Sequence, residues 1–171
     1  MKGKNNRIYK QWNYQDGDAY VERSYYARMI DLLPDKNCNI LDVGSGVAYG
    51  LEKMIFEQRK QYDDVIDCVD ISPCNEKKPA FIGSYFQCNI EEEINLDKEY
   101  DAIVCFEVME HVDQTDVLLQ NCFKHLKSDG KFFLCIPNLS SIYARIELML
   151  GFQPHILEIS NEYANFGGGG I

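Results

Sequence analysis

A chain of 171 residues, 46% apolar and 26% charged, has the length of one domain and the make-up of a soluble globular one. That excludes whole-chain disorder, collagen and coiled coil, and the acid excess (27 Asp and Glu against 17 Lys and Arg, formal charge −10) weighs against a nucleic-acid partner. No apolar run approaches the ~20 residues that span a bilayer, and the basic start Met1–Arg7 leads into no apolar stretch, so no transmembrane segment or secretory leader is expected.

Residues 1–18, polar and aromatic with Trp12, Tyr14 and Gly17, are expected to form an irregular arm. From Ala19 to Leu33 a helical stripe is expected, ended by Pro34. The pattern then alternates. Asn39–Val43 is a first strand, Leu51–Lys60 a helix with Leu51, Met54, Ile55 and Gln58 on one side, and Val65–Asp70 a second strand. Ala80–Ile82 and Tyr85–Cys88 make a third strand region that Gly83 interrupts, and Tyr100–Phe106 is a fourth strand. Thr115–Leu126 is a helix with Val117, Leu118, Cys122, Phe123 and Leu126 as its buried stripe and His125 at the surface. Ser128-Asp129-Gly130 is a turn, Lys131–Ile136 a fifth strand stopped by Pro137, and Ser140–Leu150 a last helix. The stripe through Ile142, Tyr143, Ile146, Met149 and Leu150 reads as a face packed on a sheet, with contact to a membrane or lipid as the alternative.

Short apolar strands separated by helices imply right-handed βαβ units and an α/β fold, a mostly parallel sheet with helices on both faces. The core is assigned to residues 19–151 and residues 152–171 to a C-terminal loop. Ligands on such sheets bind beyond the carboxyl ends of the strands, where strand order reverses. The seven cysteines include no C-x-x-C pair, and Cys68, Cys88, Cys105 and Cys135 lie in apolar runs. They read as buried free thiols of a cytoplasmic protein.

Four segments carry chemistry. In Ile40–Gly50 a strand runs into a glycine turn and then a helix, which lets backbone approach a ligand closely. The dinucleotide fingerprint would need glycine where Tyr49 stands, which counts against a nicotinamide or flavin enzyme. Asp70 closes the second strand, 24 residues beyond Gly46, where a carboxylate can accept both hydroxyls of a ribose; its bland role is to start a turn. Asn89 and the Ile90 backbone, at the end of the third strand region, suit an adenine, while Glu91-Glu92-Glu93 reads as a solvated surface. After the fourth strand, Glu107, Glu110 and His111 crowd one loop.

With these four in order, the chain resembles the class I S-adenosylmethionine-dependent methyltransferases, above all the group of ubiquinone-pathway O-methyltransferases and small bacterial methyltransferases. The resemblance covers about residues 19–150 and is carried by Leu41–Gly46, Phe106–Val112, Leu126–Lys131 and Ile136-Pro137-Asn138. It implies a Rossmann-like sheet of order 3-2-1-4-5. It also implies that Asp42, Gly44, Ser45, Gly46 and Gly50 hold the methionine portion of S-adenosylmethionine, Asp70 with Ile71 the ribose, and Asn89 and Ile90 the adenine, with Phe106 near the sulfonium. The product would be S-adenosylhomocysteine. Ala48 stands where the family often has glycine, and the family's last two strands are expected to be missing, leaving a sheet edge through which a homodimer could form.

Glu107, Glu110 and His111 are also similar to the divalent-metal site of small-RNA 2′-O-methyltransferases, without that family's further downstream histidine. A metal on these three, or a general base at Glu110 and His111, would serve a hydroxyl acceptor. The expected activity is methyl transfer by in-line displacement to oxygen, less readily nitrogen or carbon, on a small molecule or lipid-linked intermediate. Three alternatives stay open: an S-adenosylmethionine-binding module without catalysis, an incomplete domain needing a partner, and a metal-dependent RNA 2′-O-methyltransferase.

Overall fold

Five short segments rich in Ile, Val, Tyr and Phe pair side by side. In the computed structural model, which describes residues 24–46, 49–74, 78–138 and 140–152, they are β1 (Asn39–Val43), β2 (Val65–Asp70), β3 (Ile82–Gln87), β4 (Tyr100–Phe106) and β5 (Leu126–Cys135). They form one sheet of order β3-β2-β1-β4-β5, and every neighbouring pair is parallel. The helices are α1 (Ser24–Asp31), α2 (Gly50–Gln58), α3 (Thr115–His125) and α4 (Ile142–Met149), with a 3-10 turn at Met109–His111. This is the α/β, Rossmann-like arrangement expected. The chain winds outward from β1 through β2 to β3, then crosses back to β4 and β5, so strand order reverses between β1 and β4. The proposed arm (1–18), the start of the first helix and residues 153–171 lie outside the described residues.

Successive side chains of a strand point to opposite faces, and the two cores follow that alternation. Ile40, Ile66, Cys68, Ala102 and Val104 face α1 and α2, burying Tyr26, Met29, Met54 and Ile55. Leu41, Val43, Val69, Ile103 and Cys105 face α3, burying Leu118 and Cys122. Each fully buried Ile, Leu or Val stabilises the fold by about 1.5–3 kcal/mol over the exposed residue. Central β1 is covered on both faces, which explains why it reads as a continuous apolar run broken only by Asp42.

Several local expectations are corrected. β3 runs straight through Gly83, whose interruption is a register shift: Ile66 pairs with Ile82, but Cys68 pairs with Tyr85. A Cβ on Gly83 would stand 2.6 Å from Asp67 Oδ1, the atom that accepts the Ser84 N–H at 2.7 Å. β5 begins at Leu126, and the expected turn is a bulge within it, since Tyr100 pairs with Leu126 and Ala102 with Lys131. On α3 the buried positions are Leu118, Asn121, Cys122 and His125, while Phe123 is exposed. His125 Nε2 accepts the Leu96 N–H at 2.9 Å, so its hydrogen sits on Nδ1, 2.8 Å from Asn121 O. Asn121 in turn bonds Ile94 N–H and the carbonyls of Ile90 and Glu92. Two polar residues thus anchor the 90–96 segment to α3, which an apolar-only reading of the helix misses. On α2, Gln58 is exposed and Arg59 buried, bonding Asp64 and the carbonyls of Pro34 and Lys36. On α4 only Ala144 is buried; Ile142, Tyr143, Ile146, Met149 and Leu150 are exposed, against the expectation of a packed face. All seven cysteines are free, with Cys88 and Cys135 half-buried and not fully enclosed as expected. No helix among the described residues is long and apolar enough to cross a membrane.

Candidate active site

The ends of β1 and β2 are sewn together by the glycine turn. Gly44 N–H and Ser45 N–H both donate to Val69 O (2.8 and 3.3 Å), and Gly46 N–H donates to Asp70 Oδ2 at 2.8 Å. The other oxygen, Asp70 Oδ1, accepts the Ser72 N–H at 2.7 Å. One buried carboxylate therefore fixes two loops. A carboxylate offers about four acceptor positions, so two remain for a ligand. Gly44 (φ +77°) and Gly46 (φ +64°) both have left-handed backbone. A Cβ on Gly44 would collide with Val108, whereas one on Gly46 would meet nothing within 4 Å. Gly44 lets the β4 loop close down on the turn, and Gly46 faces open space.

Tyr49, the residue that breaks the dinucleotide pattern, starts α2 in the left-handed region at φ 52°. Its ring is buried edge-on against Tyr85 (centroids 6.4 Å apart), and its hydroxyl lies 3.7 Å from Cys74 Sγ. Tyr85 donates to Ser72 O at 3.0 Å, which braces the loop that follows Asp70.

Beneath the turn lie two acids. Asp42 on β1 and Glu52 in the first turn of α2 are both buried, and Asp42 stands opposite Cys68 of β2. The Cys68 thiol of β2 donates to Glu52 Oε1 at 3.3 Å. Burial first, then the charge of Glu52 and the bond to it, holds Asp42 well above the usual carboxylate range. Burial lifts Glu52 to about 7, although bonds from backbone, Cys68 and Asp42 pull the other way. Sequence reasoning named Asp42 and missed Glu52. The signal was its spacing: Glu52, Ile55 and Arg59, all buried, recur every three to four residues on one side of the helix.

At the end of β3, Cys88 N–H donates to Asp70 O at 3.0 Å, which brings the 88–90 segment beside the acid. Asn89 closes a tight local turn. Its Oδ1 accepts Glu91 N–H (3.0 Å), its Nδ2 donates to Glu92 Oε1 (3.3 Å), and its carbonyl accepts Glu92 N–H (3.2 Å). Ile90 is half-buried against the α3 core, and Ile71 is exposed next to Asp70. The acidic run is more than a solvated surface. Glu91 Oε1 accepts the N–H groups of Asp113 and Gln114 where α3 begins, and Glu93 pairs with Lys124 at 2.7 Å.

The β4 end places Phe106 parallel to Tyr26 of α1, centroids 5.5 Å apart. Glu107 follows with φ 58°, and its N–H donates to Cys135 O at 3.0 Å. The turn directs its carboxylate to the end of β5, where Cys135 Sγ donates to Glu107 Oε1 at 3.6 Å. Glu110 Oε1 lies 3.9 Å from His111 Nε2. The loop thus sets Glu110 beside His111 and Glu107 beside Cys135. The three do not converge, and among the described residues no three His, Cys, Asp or Glu side chains gather closely enough to hold a metal ion.

The methyltransferase domain family matches residues 18–163. The ubiquinone biosynthesis O-methyltransferase of Rickettsia bellii (strain OSU 85-389) is 31% identical over 153 residues, 84% of this chain and 59% of that protein. That of Rickettsia conorii (strain ATCC VR-613 / Malish 7) is 30% identical over 137 residues, 74% of this chain and 45% of that protein. The chain spans about half the length of the curated relatives it matches. Among solved structures, the plantazolicin methyltransferase BpumL in complex with SAH superposes with TM-score 0.59 at 16% identity, covering 96% of this chain and 68% of that one. The sugar N-methyltransferase KedS8 from Streptoalloteichus sp ATCC 53650 superposes with TM-score 0.56 at 16% identity, covering 75% of this chain and 52% of that one. At these identities the structures establish the fold alone.

Proposed function

This chain belongs to the methyltransferase domain family, as a class I S-adenosylmethionine-dependent member, and from that premise we propose that it transfers a methyl group to a hydroxyl of a small molecule or lipid-linked intermediate. The observation that carries the reading is the Asp70 carboxylate at the strand-order reversal, tied to Gly46 N–H and Ser72 N–H with acceptor positions to spare. The open space at Gly46 and the absence of a Cβ there fit an adenosyl group lying against the turn.

When bound, S-adenosylmethionine supplies a methyl group already activated on a positively charged sulfur. The chain's own task is then alignment and exclusion of water, worth several powers of ten in rate when the reacting atoms are held about 3–3.5 Å apart. In this reading Asp70 accepts the ribose hydroxyls with Ile71 covering them, and Asn89 and Ile90 meet the adenine. Asp42, Gly44, Ser45, Gly46 and Gly50 form the floor under the methionine end. Phe106, flattened against Tyr26, gives the methyl group an apolar wall. Glu110 and His111, side by side, take the proton from an acceptor hydroxyl. An oxygen acceptor is supported by what the relatives' names say of those proteins. The free thiols support a reducing, cytoplasmic setting. A metal-dependent mechanism finds no support in the divergence of Glu107 from Glu110 and His111.

Calorimetry of the chain with S-adenosylmethionine, S-adenosylhomocysteine and NAD in parallel tests this reading. Heat of binding for the two adenosyl compounds and none for NAD is the expected result. Binding of NAD alone, or of nothing, overturns it. Product formation across a panel of hydroxyl and amine acceptors then identifies the atom methylated.

A further inference from the structure

The acid pair under the glycine turn is an expensive thing to bury. Glu52 is 1% exposed and Asp42 6%, and isolated ionised carboxylates in such places cost several kcal/mol each. The groups that face the pair are themselves acidic or neutral. From β2 come the Cys68 thiol and, at the strand end, Asp70; from β4 the residue opposite Asp42 is the apolar Val104. Among the described residues, the charges acting on Asp42 are those of Glu52 and Asp70, with no cation among them. Asp42 stands opposite Cys68 across β1 and β2, and the Cys68 thiol reaches Glu52 Oε1 at 3.3 Å, so the two buried carboxyls share one small cluster, where a single proton relieves the repulsion between them.

We propose that Asp42 and Glu52 share a proton in the ligand-free protein and release it to solvent when positively charged S-adenosylmethionine binds at the turn above them. This rests on the functional reading given above and adds a role for Glu52, a positioning residue that acts through Asp42. In the step an O–H bond of the pair breaks and the proton passes to buffer. The pair goes from one negative charge to two as a ligand with one net positive charge arrives, so the buried site gains no net charge. Proton release makes binding of the sulfonium form stronger as pH rises. S-adenosylhomocysteine, without charge on sulfur, draws the proton out less.

The test is calorimetry of the whole chain near neutral pH in two buffers of different ionisation heat. The expected result is roughly half to one proton released per S-adenosylmethionine bound, fewer for S-adenosylhomocysteine. Glu52→Gln, whose amide can donate to an Asp42 carboxylate, should bring the count close to zero. Infrared difference spectra of the unaltered chain should show a protonated-carboxyl band disappearing as S-adenosylmethionine is added, a readout that needs no variant. Binding with no proton released, a count unchanged in Glu52→Gln, or a carboxyl band that persists overturns the proposal and leaves the functional reading intact. No heat with either adenosyl compound overturns both.

Discussion

Val108 occupies the space a β-carbon on Gly44 would need, with one γ-methyl 3.0 Å from that position and the other closer still. Gly46, two residues on and equally left-handed, faces nothing within 4 Å. The two glycines should therefore fail differently. Gly44→Ala should cost about 2–4 kcal/mol, overpacking added to a left-handed alanine. Trimming Val108→Ala in that background should return the steric part. Gly46→Ala should cost only about 1–2 kcal/mol of stability while putting a methyl into that open space. Urea denaturation of the three variants measures the stabilities, and equal losses at the two glycines would contradict this account.

Asp70 offers a sharper separation of scaffold from ligand site. An asparagine there keeps the shape but exchanges one acceptor for a donor, which faces either Gly46 N–H or Ser72 N–H. Losing a hydrogen bond to a charged group costs about 1.5–3 kcal/mol. Asp70→Asn should thus weaken adenosyl-compound affinity by roughly 10- to 100-fold. Calorimetry that returned the parent affinity would take Asp70 out of the site.

At the opposite end of the sheet, Asp101 governs acid stability. Its carboxylate accepts Asn39 N–H at 2.9 Å and Lys127 Nζ at 2.8 Å, with Lys36 Nζ 3.1 Å away. Burial pushes its carboxyl upward, but the bonds from Lys127, Asn39 and Lys36 prevail and hold it at about 2. An unfolded aspartate titrates near 3.9, so the folded state binds this proton less readily. The stabilisation is complete above about pH 4 and is lost as pH falls toward about 2. Asp101→Asn should lower stability at neutral pH and flatten that acid limb, as read from urea midpoints across pH. An acid limb of unchanged steepness would assign the effect to other carboxylates.

The strand order was legible because each strand is a short apolar run between turn signals, and parallel βαβ units admit few windings. Asp70 and the glycine turn were legible because residue type and spacing coincide there. Three features were not. His125 and Asn121 look like surface residues on a polar helix, and only the path of residues 90–96 makes them interior partners. Glu52 looks like a helix-surface glutamate until β1 and β2 bring Asp42 and Cys68 against it. Glu107 sits three residues from Glu110, yet its backbone has a positive φ and its carboxylate meets Cys135 at the end of β5. In each case a long-range contact or a single backbone angle overrides residue type, and only Glu52 leaves a periodic trace, its spacing with Ile55 and Arg59.

Burial pushes the thiols of Cys68, Cys105 and Cys122 upward, the last to about 12, so the nucleophilic thiolate is scarce at all three. Cys74, by contrast, is exposed, its Sγ 3.7 Å from the Tyr49 hydroxyl. Alkylating reagents will therefore sample these four thiols in two stages. They reach the residue beside Tyr49 while the sheet is intact, and the inner three only once strands part from helices. The chain carries its own clock for opening, spread across both faces of the sheet.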